Sequence, residues 1–562
     1  MQAIVALHLQ HRLFERVFDF VVPLDDHPAA TFKNLIELKG LSACQSKGSH
    51  VSIHSNRESK INMRFYIAIV TLIATISTAT HAQTRAVSLD GVTVYDAQEL
   101  LEFATQVSIS RYGEVNVAAL PGIIEVIYRE DGYFLAEVFP GPDGTSFYVD
   151  EGAIDSVVIE GSDTETAALI HEYMQPLLAE RPTTQSAFER AIMLSDDIGS
   201  VYVTAEVDYP DPQRAAELRL LATQEDSSSG FVTLDHPARR LGEEVILTFG
   251  QTFHSALTPG DLLGFELSGT SDFKDDDTVY GTLRYRMPIG GSGAYVEAYF
   301  GNVGARRDAD GALEETDIAG RTAIVALGYP LLRSVDTYGY GLFELRHAGT
   351  EVDVGVQDFD SDINAISATW IHGKALPNGG AWEYAASLAY GERETNTFGF
   401  SDGDKFFTHL RLGAGYTQPT TWFGDDSFVH AEFWGQVSNN ALPSAEQFYI
   451  GGRFDERGYT FTEAQGDSGV SATVSVGRDV FPEAIALRSV RPFAFLDFGY
   501  VTSNDTDRPG LEDETFASVG VGVNMEFRQN VFVSTHFAMP LTDGPLTDAH
   551  DPALYIGLTR SW

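Results

Sequence analysis

Two rhythms of apolar and polar residues divide the chain. Over 230–562, the two kinds of residue alternate at period two in segments of about ten, and no helical period is present. The segments cover 230–235, 242–255, 261–271, 278–287, 293–302, 320–330, 337–347 and 363–373, then 381–391, 405–418, 427–438, 469–479, 491–501, 515–528, 530–540 and 553–562. This predicts about sixteen strands. Ala517, Val519, Val521, Val523, Met525 and Phe527 form one face of their segment, with Ser518, Gly520, Gly522, Asn524 and Glu526 on the other. Val429, Ala431 and Phe433 stand in the same way against His430, Glu432, Trp434 and Gln436.

Upstream, over 87–223, the rhythm changes to short strands alternating with helical stretches, as in small α+β modules. A strand near Val92, helices at 97–107 and 118–129, and strands at 133–139 and 146–151 form the first set. The second repeats the plan, with a strand at 154–160, helices at 164–178 and 185–194, and strands at 201–209 and 217–222. A repeat of about 70 residues predicts tandem modules at 87–153 and 154–223.

The connections choose among the all-β architectures for 230–562. Short turns at 256–260, 288–291 and 528–530 alternate with long acidic loops at 302–319, 348–362, 392–404 and 503–514. A soluble sandwich also alternates apolar and polar positions. Short turns on one rim and long loops on the other instead predict a 16-stranded antiparallel outer-membrane β-barrel, apolar toward lipid and polar toward the lumen. An even strand number puts the modules and Trp562 on the periplasmic side.

Only one long apolar run exists, at 65–79, and it is too short to span a bilayer as a helix. It follows Met63-Arg64 and ends in Ala79-Thr80-His81-Ala82, which predicts a secretory signal peptide over 63–82, cleaved after Ala82. Such signals act at an N-terminus, so Met63 is the expected start and 1–62 an upstream extension without a role. Leu41-Ser42-Ala43-Cys44 has the form of a lipoprotein cleavage box, but no apolar region precedes it.

Composition sharpens this outline. The 562 residues carry 80 acidic and 37 basic side chains, a formal charge of -43, which excludes a classical nucleic-acid partner. By position, about -25 falls on the long outer loops and about -21 on the modules, around a nearly neutral wall. The single cysteine, Cys44, excludes both a disulfide framework and a cysteine-built zinc site.

Three strings imitate catalytic motifs. His171-Glu172-Tyr173-Met174-Gln175 begins like a zinc-protease helix, but Gln175 stands where the second histidine is required. Gly466-Asp467-Ser468-Gly469 has the form of a serine-protease nucleophile segment with no partners that can be placed beside it. Gly520-Val521-Gly522 lacks its third glycine and lies within a strand. Neither catalytic residues nor a metal or other cofactor is expected.

The most informative stretch is Gln447-Phe448-Tyr449-Ile450-Gly451-Gly452-Arg453-Phe454-Asp455-Glu456-Arg457-Gly458-Tyr459, within a loop at 439–468. Downstream lies Phe495-Leu496-Asp497-Phe498-Gly499, whose alternation turns Phe495, Asp497 and Gly499 inward. An arginine on a loop threaded into a barrel is partly desolvated, and its planar guanidinium suits a bidentate pair with an inward carboxylate. The glycine beside it permits a tight backbone.

These residues resemble the two-partner secretion outer-membrane transporters, the hemolysin secretion/activation family of ShlB, FhaC and HecB, within the BamA-like POTRA-barrel superfamily. In that family the sixth extracellular loop folds into the lumen with a (V/I)-R-G-(F/Y) tip, matched here by Arg457, Gly458 and Tyr459. An F-x-D-x-G motif on the barrel wall is its partner, matched by Phe495, Asp497 and Gly499. Tyr128-Arg129-Glu130-Asp131-Gly132-Tyr133 and Val149-Asp150-Glu151-Gly152 resemble segments of the first POTRA domain, and Phe188-Glu189-Arg190-Ala191-Ile192-Met193-Leu194 a segment of the second. The stretch 518–541 resembles the family's penultimate hairpin. Glu456 departs from the apolar residue usual before the arginine, and the leader at 83–88 is too short for the plug helix of some members.

The resemblance implies a nucleotide-independent exporter in the outer membrane of a Gram-negative bacterium. Periplasmic POTRA domains would capture an unfolded hemolysin- or adhesin-like exoprotein and the barrel would conduct it. Partners would be that client, outer-membrane lipid and periplasmic chaperones. Two other readings stand beside it. A BamA/TamA-like assembly factor shares the loop motif but usually carries more POTRA domains. A passive diffusion porin leaves the modules and the Arg457/Asp497 pairing without a purpose.

Overall fold

The computed structural model describes residues 87–209, 216–236, 245–271, 276–307, 316–355, 357–395, 403–453, 455–482, 486–504 and 513–562. The expected extension at 1–62 and signal peptide at 63–82 lie outside them. The chain divides into two compact units, one carrying the N-terminal modules and one the barrel.

In the first module, Asp96 accepts hydrogen bonds from the backbone of Gln98 and Glu99, so helix α1 (Ala97–Tyr112) starts there, and Gly113 at φ 81° ends it. Helix α2 (Leu120–Glu130) is strongly amphipathic and buries Ile124, Ile127 and Tyr128 against Leu100, Ala104 and Phe147. Both helices cover a sheet of β1 (Ser88–Asp90), β2 (Glu137–Pro140) and β3 (Ser146–Asp150). β3 lies centrally, parallel to β1 and antiparallel to β2. The strand expected from 133 begins only at Glu137. Gly132, at φ 94°, closes α2, and Tyr133 packs edge-on against Tyr95 and Tyr128 instead of pairing.

The second module repeats that topology, with β4 (Ile154–Glu160), α3 (Thr164–Ala179), α4 (Gln185–Asp196), β5 (Val201–Asp208) and β6 (Ala216–Gln224). Here β6 is central, parallel to β4 and antiparallel to β5. The internal repeat in sequence is thus a repeat of one fold. A single carboxylate stitches the first module. Glu151 accepts from Thr93 N at 2.7 Å, Val94 N at 2.9 Å, Tyr128 Oη at 2.7 Å and the Thr93 hydroxyl. Burial works against its ionisation, yet these donors hold it below the ordinary glutamate range.

Sixteen strands close into an antiparallel barrel. The first eight are β7 (Ser228–His236), β8 (Val245–His254), β9 (Leu262–Ser271), β10 (Asp276–Ile289), β11 (Ala294–Arg307), β12 (Thr316–Arg333), β13 (Thr337–Val354) and β14 (Gln357–Ala375). Then follow β15 (Ala381–Glu394), β16 (Phe406–Thr420) and β17 (Ser427–Ser438). Two short strands, β18 (Phe448–Ile450) and β19 (Ala464–Gly466), pair only with each other, and the wall resumes with β20 (Ser468–Arg478) and β21 (Leu487–Thr502). It ends with β22 (Glu514–Phe527), β23 (Val531–Pro540) and β24 (Ala553–Ser561). β24 pairs with β7, so no wall strand of the barrel is left as a free edge.

Side chains sort by parity. Leu327, Phe343, Leu345, Leu388, Leu496 and Val521 are exposed on the outside, while Thr322, Ser387, Arg411, Gln436 and Asp497 are buried toward the lumen. Outward apolar and inward polar faces are what a lipid-embedded barrel requires. Among the described residues no helix is long and apolar enough to cross a membrane.

Two connections expected as long loops are partly paired strand. In 302–319, β11 and β12 stay in register out to Arg307 opposite Thr316. Residues 348–362 are mostly paired strand, since β13 and β14 stay in register out to Val354 and Gln357. Acidic residues occupy alternate positions there, as in Glu351-Val352-Asp353-Val354, while the backbone ladder continues. Glu351 stands opposite Asp360 and Asp353 opposite Asp358, an acidic pairing that reads as loop in the sequence.

Candidate functional site

Between β17 and β20 the chain turns back into the barrel instead of running on into the next wall strand. Its neck is fixed by two fully buried carboxylates. Asp467 accepts from Leu442 N and Asn504 N, each at 2.7 Å, and from Gln447 Nε2 at 3.2 Å. Glu446, on a single 3₁₀ turn (Ser444–Glu446), is ion-paired with Arg346 of β13 and lies 2.9 Å from His409 Nε2 and 3.6 Å from Arg411 Nη2 on β16. Arg411 Nη2 and Gln436 Nε2 also donate to the Glu446 carbonyl, at 3.1 and 2.9 Å. A buried carboxylate is tolerated when charge and hydrogen bonds surround it in this way.

Past the neck, Phe448, Ile450, Tyr459 and Ala464 pack with Val501 and Phe516 into a small apolar core between loop and wall. Gly451 and Gly452, at φ 102° and 127°, adopt conformations that other residues rarely reach, and they turn the chain toward its tip. Glu463 ties the returning limb. It accepts from Thr460 N at 2.9 Å, Leu546 N at 2.7 Å and Thr547 Oγ1 at 2.7 Å.

At the tip, Arg457 meets Asp497 of β21. Arg457 Nε donates to Asp497 Oδ2 at 2.9 Å and Nη2 to Oδ1 at 2.6 Å, and the Arg457 backbone N–H adds a third bond to Oδ2 at 3.0 Å. Thr473 and Ser518, from the flanking strands β20 and β22, donate to the same carboxylate at 2.9 and 3.3 Å. The Arg457 guanidinium carbon lies 3.4 Å from the centre of the Phe495 ring, so the aromatic residue of the wall motif forms the floor under the ion pair.

Each remaining motif residue has a steric or polar reason. Gly458, at φ 103°, donates its N–H to Tyr555 Oη at 3.0 Å, and a Cβ there would lie 3.0 Å from Pro540 Cδ. Tyr459 is fully buried, with its Oη 2.8 Å from Ala517 O and 2.9 Å from Thr542 O. At Gly499 an added Cβ would stand 2.7 Å from Glu456 Cδ, so the bare backbone makes room for the buried Glu456 side chain. The six residues Arg457, Gly458, Tyr459, Phe495, Asp497 and Gly499 thus come together in one cluster.

Sequence reading missed the neck. Glu446, His409 and Arg411 belong to no motif string, Asp467 stands only in the protease-like Gly466-Asp467-Ser468-Gly469, and the one signal is that His409, Arg411 and Gln436 occupy inward positions of their strands. The wall contacts Tyr555, Thr542 and Pro540 were missed for the same reason. His171, in the protease-like string, is on the surface helix α3, where its Nε2 lies 2.9 Å from Gln175 Nε2. Among the described residues no cluster of three or more potential metal ligands exists.

The family model described as haemolysin secretion/activation protein ShlB/FhaC/HecB matches residues 218–525, more than half of the chain. No curated protein sequence gives a significant match. Among solved structures, CdiB from Escherichia coli superposes with a TM-score of 0.70 at 18% identity, covering 87% of this chain and 93% of that one. CdiB from Acinetobacter baumannii gives 0.66 at 12% identity, covering 89% and 97%. BamA from Haemophilus ducreyi lacking POTRA domains 1–3 gives 0.50 at 15%, covering 84% and 100%. At these identities the likeness is one of fold.

Proposed function

Because the chain belongs to the haemolysin secretion/activation family of ShlB, FhaC and HecB, the outer-membrane transporters of two-partner secretion, we propose that the lumenal loop is the movable element of its export path, with Arg457 and Asp497 defining the resting position. A secreted exoprotein is the partner, and the family is one of transporters. The observation that carries the proposal is the buried bidentate pair at the loop tip. A loop held at one point by a desolvated ion pair has a defined docked state, and it pays a discrete cost on leaving it.

The two N-terminal modules are the client-capturing POTRA domains in the periplasm, exported by the signal at 63–82. Each sheet offers edge strands, β1 and β2 in the first and β4 and β5 in the second, to which an extended client can add through backbone hydrogen bonds. Blunting makes the β2 edge the poorer of them: Val138 N–H is already taken by Glu125 at 3.1 Å, and Pro140 has no N–H. Directionality comes from folding of the client outside, with no nucleotide. Outer-membrane lipid surrounds the wall, and periplasmic chaperones deliver the client.

The test replaces Arg457 by alanine. Secretion of the client falls while barrel insertion, read by heat-modifiable gel mobility, stays intact. Undiminished secretion through a correctly inserted R457A barrel would remove Arg457 from the export path. Insertion of other barrels by the purified protein, with no effect on a secreted client, would favour the assembly-factor reading.

A further inference from the structure

The barrel closes where its last strand meets its first. Among the described residues β24 pairs with β7 only from Ile556 opposite His236 to Ser561 opposite Phe231, after which Trp562 and Gly230 exchange hydrogen bonds at 3.0 Å. β13 and β14 pair over the whole stretch from Thr337 opposite Lys374 to Val354 opposite Gln357. β24 and β7 are joined by no hairpin turn, so their pairing rests on the ladder itself and on side chains that hold it from the lumen.

Arg453 reaches that place. It is four residues before Arg457 on the same loop, and its guanidinium is ion-paired with Asp235 of β7 and donates to Ser534 Oγ of β23 at 3.3 Å. Between those two strands lies β24, and its Gly557 stands in register with Asp235 on one side and Ser534 on the other. A Cβ at Gly557 would be 2.7 Å from Asp235 Oδ1, 2.9 Å from Ser534 Oγ and 3.1 Å from Arg453 Nη2. Glycine at this position lets the three side chains converge directly over the last strand. Arg453 thus straddles β24, with a hold on the first strand of the barrel and on the last but one. The side chains of Arg453 and Asp235 are only 11% and 16% exposed, so water replaces little of the pair when it breaks.

We propose that Arg453 is a second positioning residue of the loop, separate from Arg457, and that it couples the docked loop to closure of the β24–β7 seam. The proposal rests on the reading of the loop as a movable element. When the loop withdraws, the Arg453–Asp235 pair breaks and the seam loses its lumenal clasp. When the loop docks, the same pair draws β7 toward β23 across Gly557. Arg457 has no such reach, because its carboxylate sits on β21, away from the seam.

The experiment uses the full-length protein in nanodiscs. Cys44 is the only cysteine of the sequence, so a thiol placed at the buried loop residue Ala464, in a Cys44→Ser background, reports loop withdrawal by its labelling rate. Amide hydrogen exchange in 228–236 and 553–561 reports the seam. Arg453→Gln and Asp235→Asn are expected to raise both by at least about tenfold, as loss of a partner in a buried pair does. The charge swap Arg453→Asp with Asp235→Arg returns both toward wild type. Arg453→Lys, which keeps the charge but loses the fork, gives a smaller rise and serves should the glutamine variant fail to insert.

Faster labelling with unchanged seam exchange in Arg453→Gln overturns the coupling. No change in either removes Arg453 as a positioning residue. Both readouts are taken without client, so a failure of the export reading shows in secretion of the Arg457→Ala barrel and not in these rates.

Discussion

Asp497 holds Arg457 twice, through its side chain and through its backbone. Nε and Nη2 form the two-pronged bond to the carboxylate, and the Arg457 N–H adds a bond to Oδ2 at 3.0 Å. The backbone contact fixes where the loop tip lies, while the side-chain fork supplies most of the electrostatic energy. A substitution at Arg457 therefore loosens the tip without erasing its position, whereas one at Asp497 removes both kinds of contact.

From this asymmetry, Asp497→Ala is expected to free the loop more than Arg457→Ala. Removing one partner of a buried pair costs roughly 3–5 kcal/mol, and Asp497→Ala also orphans the Arg457 N–H and the hydroxyls of Thr473 and Ser518. Arg457→Lys falls between wild type and alanine, because an ammonium cannot reproduce the fork. Single-channel conductance in planar bilayers ranks the four proteins, with opening most frequent in Asp497→Ala. Equal opening of the alanine variants would show that the backbone contact contributes nothing.

Gly499 makes a sharper test of the packing. Its alanine variant brings a methyl group to 2.7 Å from Glu456 Cδ, in a place where Glu456 has no exposed surface into which to move. Overpacking of this kind costs about 1–3 kcal/mol. Gly499→Ala is expected to weaken docking, and Glu456→Ala in the same chain to relieve it, since the shortened side chain vacates the contested space. Proteolysis of the loop in the inserted protein measures both. A double variant as susceptible as Gly499→Ala alone would mean that the two residues do not oppose each other.

The first module has an acid-sensitive joint in Glu151. Its carboxylate is held below the ordinary range when folded, so its contribution is fully present above the unfolded value of about 4.3 and is lost as pH falls through the folded one. Hydrogen exchange of α2 in the full-length protein should accelerate below about pH 4. Glu151→Gln is expected to cost about 1–3 kcal/mol at neutral pH through its unsatisfied donors, and to flatten the acid dependence. A glutamine variant that keeps the full acid response would place the titrating group elsewhere.

How much of this the sequence displayed depends on whether a residue's role is periodic, local or distributed. Strand parity was visible because lipid enforces an apolar outer face, which is why Phe495 and Asp497 were placed inward beside Leu496 and Phe498. The density of acids hid the same rhythm farther out, and the paired hairpin around Glu351 and Asp360 read as a loop. The tip cluster was legible as two short strings of fixed order. Glu446 was not, since its partners Arg346, His409 and Arg411 come from two strands distant in sequence, and one buried glutamate in a loop looks like any solvated one.

That neck yields the last prediction. Glu446 is fully buried under Arg346, His409 and Arg411, so Glu446→Gln leaves two arginines facing one another around a neutral amide. The expected cost is again roughly 3–5 kcal/mol, but it falls on the wall strands β13 and β16 as well as on the loop. Tip variants should therefore alter loop position in a barrel of normal thermal stability, whereas Glu446→Gln should lower the temperature at which the barrel loses its heat-modifiable gel shift. Glu446→Asp keeps the charge with a shorter reach and should recover part of the loss. If Glu446→Gln opened the pore as Asp497→Ala does and left the melting temperature unchanged, the neck would be a second latch, not a structural joint between loop and wall.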